Sequence, residues 1–421
     1  MNSIQPILGI VFIFLVVYFL SENRSLISKS IVLKGLLLQF ILALFLLKFA
    51  PAQAFFNTLN HGILEIQKAT QAGTTLVFGY LGGGPLPFIE SKEGLSFILG
   101  FQALPMMLVF SALSSLLYYL RVLPVIIGFF AWCLGRVLNI SGPASFSVIC
   151  TIFVGMVEAP LLIKPYLKHL SRTELFIVMS SGLATISGTV LVIYAGFLQS
   201  IIPNSAGHLM IASIISAPAS IMLSMMLIPQ DQTSQSMGRG HFYVPEQSQS
   251  YSGIMDAISH GTTQGLKLLA NVIAMLIVLV ALVALSNSIL HVLPNINGEP
   301  ISLERVIGWF MQPLAWLLGI DAKDVGIAGQ LLGTKLVLNE FIAYLNLSKV
   351  PLTDISDKSR ILLTYLLCGF ANFGSLGIVI SGLSSMVPER NKEILDLGLK
   401  SLLIGTLSTS LSGAIVCLIL F

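Results

Sequence analysis

The stretch at 154–167, "VGMVEAPLLIKPYL", sets a carboxylate, Glu158, among residues suited to hydrocarbon or to a protein interior. Gly155, Pro160 and Pro165 make it too broken for a regular span. A second stretch at 332–347, "LGTKLVLNEFIAYLNL", has the same character, with Glu340 as its acid. Each is followed, after a polar turn, by an apolar run whose middle is small and polar: "ELFIVMSSGLATISGTVLVIYAG" at 174–196 and "ILLTYLLCGFANFGSLGIVISG" at 361–382. Inside a bilayer such residues weaken a helix, and the freed backbone groups must find partners in protein, water or ligand. Two interrupted pairs in corresponding halves mark a secondary transporter built from inverted repeats, with its site near the midplane where the breaks meet.

The rest of the chain fits that frame. Of 421 residues, 55% are hydrophobic and 10% charged, and the mean hydropathy is +0.90, which leaves too little polar surface for a water-soluble globule. The expected fold class is an all-α integral membrane protein. A hydrocarbon core about 30 Å thick needs roughly 20 apolar residues per helix, and that rule picks out eight transmembrane helices at 4–20, 31–49, 95–120, 175–198, 210–228, 268–292, 361–383 and 397–420. The two Glu-bearing segments read as re-entrant helical hairpins. Segments 52–71 and 302–318 carry apolar residues at helical spacing against polar ones and read as interfacial helices. The domain organisation expected is N-terminal spans, interfacial helix and scaffold elements over 1–140, the first hairpin and broken helix over 141–228, a polar loop over 229–252, spanning and interfacial scaffold helices over 253–318, and the second hairpin, broken helix and last span over 319–421. The first apolar stretch has no basic region before it and no small-residue cleavage site after it, so it reads as a retained span. Lys164, Lys168 and Arg172 after the first hairpin, with Arg390, Lys392 and Lys400 flanking the last span, place those ends in the cytoplasm by the positive-inside rule.

Several function classes drop out. The formal net charge of +3 comes from scattered Lys and Arg, which give no basic patch for nucleic acid. Cys133, Cys150, Cys368 and Cys417 lie in apolar surroundings without metal-ligand spacing and read as small hydrophobes. "GYLGGGPLPF" at 79–88 lacks the ending of a phosphate loop, and none of the six histidines stands in a nucleophile or metal motif. No enzyme apparatus or prosthetic cofactor is expected.

A carboxylate at bilayer depth costs roughly 2.5 to 3.5 kcal/mol on insertion scales, so Glu158 and Glu340 need a reason. One alternative is structural: capping a broken helix, or pairing with a base such as Lys335. Matching acids in matching positions favour a shared, water-reachable cavity instead. Two acids and an amide, Asn372, suit a neutral ligand rich in hydroxyl and amine donors, such as a sugar-bearing molecule. An anionic substrate would want Arg or Lys in "GMVEAP" or "GFANFGS", and neither has one. Thr151, Thr185 and Ser375 add hydroxyls at the breaks, where a hard cation can meet oxygens of side chain and unwound backbone. A proton carried by a Glu would serve coupling as well.

"FVGMVEAPLLIKPYL", "GLATISGTVLVIYAG", "GTKLVLNEFIAYL" and "CGFANFGSLGI", in that order between residue 79 and the C-terminus, closely resemble the concentrative nucleoside transporter family, in a bacterial member. The resemblance implies a multi-pass homotrimer of the bacterial inner membrane, importing a nucleoside with a cation by an elevator-like shift of the hairpin-containing region. It implies that Gly155, Met156, Val157 and Glu158 face the nucleobase at the first hairpin tip and that Val190 touches it. It places Glu340, Phe370, Asn372 and Ser375 on the ribose side, and a possible sodium site at Thr151, Val154, Thr185 and Ile186. Where relatives most similar in the hairpin carry Gln and Ser or Thr, this chain has Met156 and Val157, which points to broader or shifted base choice. Thr151 stands where sodium-coupled members have Asn, so sodium and proton both stay open, as does another neutral polyhydroxyl or nucleoside-like solute.

Overall fold

The computed structural model describes residues 4–90, 96–230, 251–295, 298 and 300–421. Among them the regular structure is helical, with no strand. The helices are α1 (Ile4–Leu20), α2 (Lys29–Lys48), α3 (Ala50–Phe78), α4 (Leu99–Gln102), α5 (Met106–Tyr119), α6 (Val122–Leu138), α7 (Gly142–Phe153), α8 (Glu158–Leu162), α9 (Lys164–Leu167), α10 (Arg172–Ala184), α11 (Gly188–Leu198), α12 (Ser205–Leu227), α13 (Ile254–Leu290), α14 (Leu303–Leu317), α15 (Val325–Val337), α16 (Glu340–Lys349), α17 (Asp357–Leu367), α18 (Phe373–Met386) and α19 (Asn391–Leu420).

The eight expected spans correspond to α1, α2, α4 with α5, α10 with α11, α12, α13, α17 with α18, and α19. Six of them are long and apolar enough to cross a membrane by length and composition alone. The other two fall short for plain reasons: α1 has 17 residues, and the α17–α18 span is cut by its break. Three details differ from expectation. The interfacial helix expected at 52–71 runs on to Phe78. Helix α13 begins at Ile254, not near 268, and its 37 residues reach about 55 Å, well beyond a core of about 30 Å, so it tilts or projects. Helix α6 is a separate element that periodicity did not resolve. It is entered through Arg121 at φ +61 and left through Asn139 at φ +59, with the Asn139 N–H on the Gly135 carbonyl, the left-handed stop that Asn tolerates. Of the polar stretch joining the halves, residues 231–250 lie outside the described residues.

The internal repeat is plain in the helix ends. Helices α7 to α12 and α15 to α19 run in the same order: hairpin arm, tip, second arm, Ser-capped helix (Ser171, Ser356), extended break, helix, long helix. Between the starts of α10 and α17 the chain crosses three times, by α10–α11, α12 and α13, so the second copy runs upside down relative to the first. Helices α10, α12 and α19 form the interior. In the span from Arg172 to Leu198, 94% of the apolar window is buried, against 6% in α13, which turns Ile277, Leu285 and Ile289 outward. Interior contacts use small residues: Ser180 Oγ meets Ser224 Oγ at 2.6 Å, Ser216 Oγ meets Ser412 Oγ at 2.9 Å, and Gln39 Nε2 donates to Ser412 Oγ at 3.1 Å. Such bonds are worth about 0.6 kcal/mol each in membranes, so close packing of small side chains carries most of the adhesion.

Candidate functional site

The first hairpin is built to stop at its tip. Helix α7 starts at Ser141, whose hydroxyl accepts the Ala144 N–H at 3.5 Å, with Pro143 in the first turn. It stops at Val154, and Gly155 follows at φ +152, a backbone region that side chains strain. A Cβ there would collide with Glu158 Oε2, so glycine lets the carboxylate lie over the tip backbone. The neighbouring side chains rest on glycines of other helices. Met156 lies over Gly182 of α10, and Val157 over Gly382 of α18. Met156, Val157 and Glu158 keep part of their surface accessible. Among the described residues no ion pair and no other side chain engages Glu158; its carboxylate takes hydrogen bonds from the backbone N–H groups of Val157 and Glu158 at the tip.

The second hairpin tip is closed and fully wired. Asn339 caps α16 by accepting the Ile342 N–H at 3.0 Å, which puts Glu340, 4% exposed, at the first position of a ten-residue helix, where the dipole favours an anion. Tyr194 Oη donates to Glu340 Oε1 at 2.6 Å, and Asn372 Nδ2 donates to Oε2 at 2.8 Å. Asn372 Oδ1 in turn accepts the Ser375 N–H at 2.7 Å as the N-cap of α18, which settles which end of the amide faces Glu340. Lys335 does not pair with Glu340. Its Nζ donates to the Leu366 carbonyl at 2.9 Å and Thr409 Oγ1 at 3.4 Å.

The two breaks meet. Helix α10 ends in Thr185, extended at φ −120 and ψ 167, and the Phe370 N–H of the other break donates to the Thr185 carbonyl at 3.4 Å. Gly369 sits against the Leu183 and Ala184 carbonyls. Thr185 Oγ1 stands 3.0 Å from Thr151 Oγ1 and 2.9 Å from the Ser181 carbonyl. Thr151 already donates to the Val148 carbonyl at 2.7 Å, so the single Thr185 proton goes either to Thr151 Oγ1 or to the Ser181 carbonyl, and Thr151 Oγ1 keeps its lone pairs on the Thr185 side. Ser213 of α12 holds the stretched backbone by accepting the Ile186 N–H at 3.1 Å. Thus Thr151 joins Thr185, with Val154 and Ile186 adjacent in chain, and Glu340 joins Asn372 and Ser375. Val190 lies one turn before Tyr194 on the same face of α11, which packs on α16. Two cavities lie elsewhere, about 490 Å³ along α14 at Trp309 and Trp316 and about 240 Å³ near Gln67, Gln102 and Phe197. Neither is lined by Glu158 or Glu340.

Three working residues escaped the sequence reading. Tyr194 was visible as a lone hydroxyl in an apolar run, which needs a partner when buried. Glu174, a third buried acid, completes a capping box with Ser171 and accepts the Ser141 N–H at 3.1 Å; its signal was the Ser-x-x-Glu spacing. Ser213 carried no signal, being one of many small polar residues in α12.

Closed intramembrane hairpins facing two broken helices define a secondary carrier. Comparison with known proteins is specific. Family models described as Na+ dependent nucleoside transporter N-terminus and C-terminus match residues 8–81 and 208–417, and one described as nucleoside recognition matches 100–201. The nucleoside permease NupC of Helicobacter pylori is 33% identical, covering 98% of this chain and 97% of its own. Sodium/nucleoside cotransporter 1 of Mus musculus is 34% identical over 97% of this chain, which spans 62% of that longer protein. The solved structure of CNTnw in an inward-facing substrate-bound state matches with TM-score 0.87 at 31% identity, covering 100% of this chain and 98% of that one; a doubly substituted CNTnw in an outward-facing state also gives 0.87. The chain therefore belongs to the concentrative, Na+-dependent nucleoside transporter family, and the likeness reaches the N-terminal spans as well as the region after residue 79. This is a family of multi-pass membrane carriers, those of bacteria in the inner membrane, and not of enzymes.

Proposed function

We propose that this protein imports nucleosides with a cation by alternating access, the hairpin-containing repeats shifting as a body between the two membrane faces. The observation that carries the reading is the Tyr194–Glu340–Asn372 triad, a buried carboxylate held by two neutral donors at 2.6 and 2.8 Å, with the Lys335 charge nearby but not in an ion pair with it. That set accepts ribose hydroxyls and repels anions. Phe370 and Ser375 flank it, while Gly155, Met156, Val157, Glu158 and Val190 meet the base. Glu158 is the chief polar group left to read the base edge. The relatives' names and the inward- and outward-facing states of CNTnw support the same reading. The Thr151–Thr185 oxygens, with the Val154 and Ile186 backbone, suit sodium, a hard cation that prefers oxygen. A homotrimer is part of the proposal and is tested by the mass of the detergent-solubilised protein.

In proteoliposomes, uridine uptake is expected to follow an inward sodium gradient; uptake that ignores sodium and follows a proton gradient would remove the Thr151–Thr185 site. Glu340→Gln is expected to abolish uptake, by roughly 100-fold or more on losing the charged acceptor, while eluting as the native protein does. Near-native uptake by that variant would sink the ribose assignment.

A further inference from the structure

Lys335 is the buried charge that the substrate and cation assignments leave unused. It is 3% exposed. Its ammonium rests on the Leu366 carbonyl and Thr409 Oγ1; among the described residues no carboxylate forms an ion pair with it, and the Glu340 charge acts on it from beyond contact distance.

The two repeats can be laid on each other through their helix ends. Helix α7 closes with the Val154 N–H on the Cys150 carbonyl, and α15 closes with the Leu338 N–H on the Thr334 carbonyl. The residue after each acceptor is Thr151 in the first repeat and Lys335 in the second. Each side chain then reaches the broken helix that follows its hairpin. Thr151 meets Thr185, the last residue of α10's turn; Lys335 meets Leu366, two residues before Cys368 ends α17. Lys335 therefore stands where the first repeat has its threonine pair.

An ammonium and a small hard cation ask for the same surroundings, oxygen lone pairs at the carbonyl end of a helix. In the first repeat short hydroxyl side chains leave the positive charge to be brought by an ion. In the second a four-carbon tether carries it permanently to the C-terminal end of α17. We propose that Lys335 is the resident cation of the second repeat, occupying the position a second coupling ion would take, so that one cation accompanies each nucleoside. This rests on the Thr151–Thr185 cation site proposed above. Lys335 is a positioning residue, acting through the α17 end and not on substrate.

The test uses the full-length protein in proteoliposomes. The coupling ratio, read from the membrane potential at which uridine flux reverses under a fixed sodium gradient, is expected at one; a ratio of two overturns the proposal. Lys335→Thr copies the first repeat. It is expected to lower uptake about tenfold at sodium that saturates the native protein, to recover as sodium is raised, and to move the Hill coefficient from about one toward two. Lys335→Arg keeps a tethered cation and is expected to retain the native coefficient. A Lys335→Thr protein that elutes normally and keeps the native sodium curve overturns the proposal, as does an arginine variant with the steeper curve. Should the threonine variant fail to insert, the native coupling ratio and the arginine variant decide. Native protein that takes up no uridine under any gradient, or takes it up without sodium, brings down the underlying transport or ion reading, and is told apart because it appears before any substitution.

Discussion

Both oxygens of Glu340 are engaged before any ligand arrives, by Tyr194 and Asn372, and its own backbone N–H adds a third hydrogen bond, so of about four acceptor positions one remains for a ligand hydroxyl. Tyr194 then orients the acid. Tyr194→Phe removes one hydrogen bond to a charged group, worth roughly 1.5–3 kcal/mol. Uridine half-saturation is expected to rise about tenfold or more, with the loss falling on affinity rather than on protein yield; an unchanged uptake curve would contradict this. Met156 and Val157 rest on Gly182 and Gly382 and present methyl groups at the tip, so unlabelled nucleosides are expected to compete with labelled uridine with little regard to base. Strong preference for one base would refute that. Glu340 and Asn372 were legible because a polar group in an apolar run demands a partner. Lys335 was legible as a charge but not in its partner, since five residues of helix and a break decide whether it meets Glu340 or the end of α17.

Among the elements, hairpin tips and breaks hold the strain and the freed backbone. Gly155, at φ +152 beneath Glu158, is the tightest point. Gly155→Ala is expected to cost about 1–3 kcal/mol, read as a lowered melting temperature in detergent together with weaker uridine binding, because the Cβ displaces the Glu158 carboxylate. Full retention of both would show the tip to be looser than its geometry implies. The hairpins could be read from Pro, Gly and Glu in apolar sequence, and the breaks from clustered small polar residues. Helix α6 could not, because its ends depend on two non-glycine residues, Arg121 and Asn139, taking left-handed backbone, which nothing local announces.

Over the whole molecule, distant segments are tied at one rim. Glu22, between the first two spans, accepts Arg172 Nη2 at 3.0 Å and Lys400 Nζ at 2.8 Å, and Arg172 also reaches Asp396 at 2.5 Å. Arg390 Nη1 caps the Leu167 and Leu170 carbonyls at 2.8 and 2.7 Å, joining the two repeats at their basic ends. Burial raises the Glu22 carboxyl, but the Arg172 and Lys400 hydrogen bonds and charges outweigh it and hold it below its ordinary 4.5. A depressed carboxylate stabilises the fold above its unfolded value, and that stabilisation is lost as pH falls through the lower folded value. Being half-exposed, the cluster is worth no more than about 1 kcal/mol. The melting temperature of the native protein is therefore expected to exceed that of Glu22→Gln near neutral pH, with the gap closing below pH 4.5 and shrinking in high salt. A gap that persists in acid would refute it.

The amino-acid order by itself determined the class: spans, hairpins, inverted repeat and the acids at depth follow from hydrocarbon's refusal of unpaired polar groups, a rule that acts on every short window of sequence. Tertiary structure alone decided the pairings. Which hydroxyl faces which break, that Tyr194 serves Glu340, and that Lys335 leaves Glu340 for the end of α17 depend on helices brought together from opposite halves of the chain, where geometry over a few ångströms, and not residue type, selects the partner.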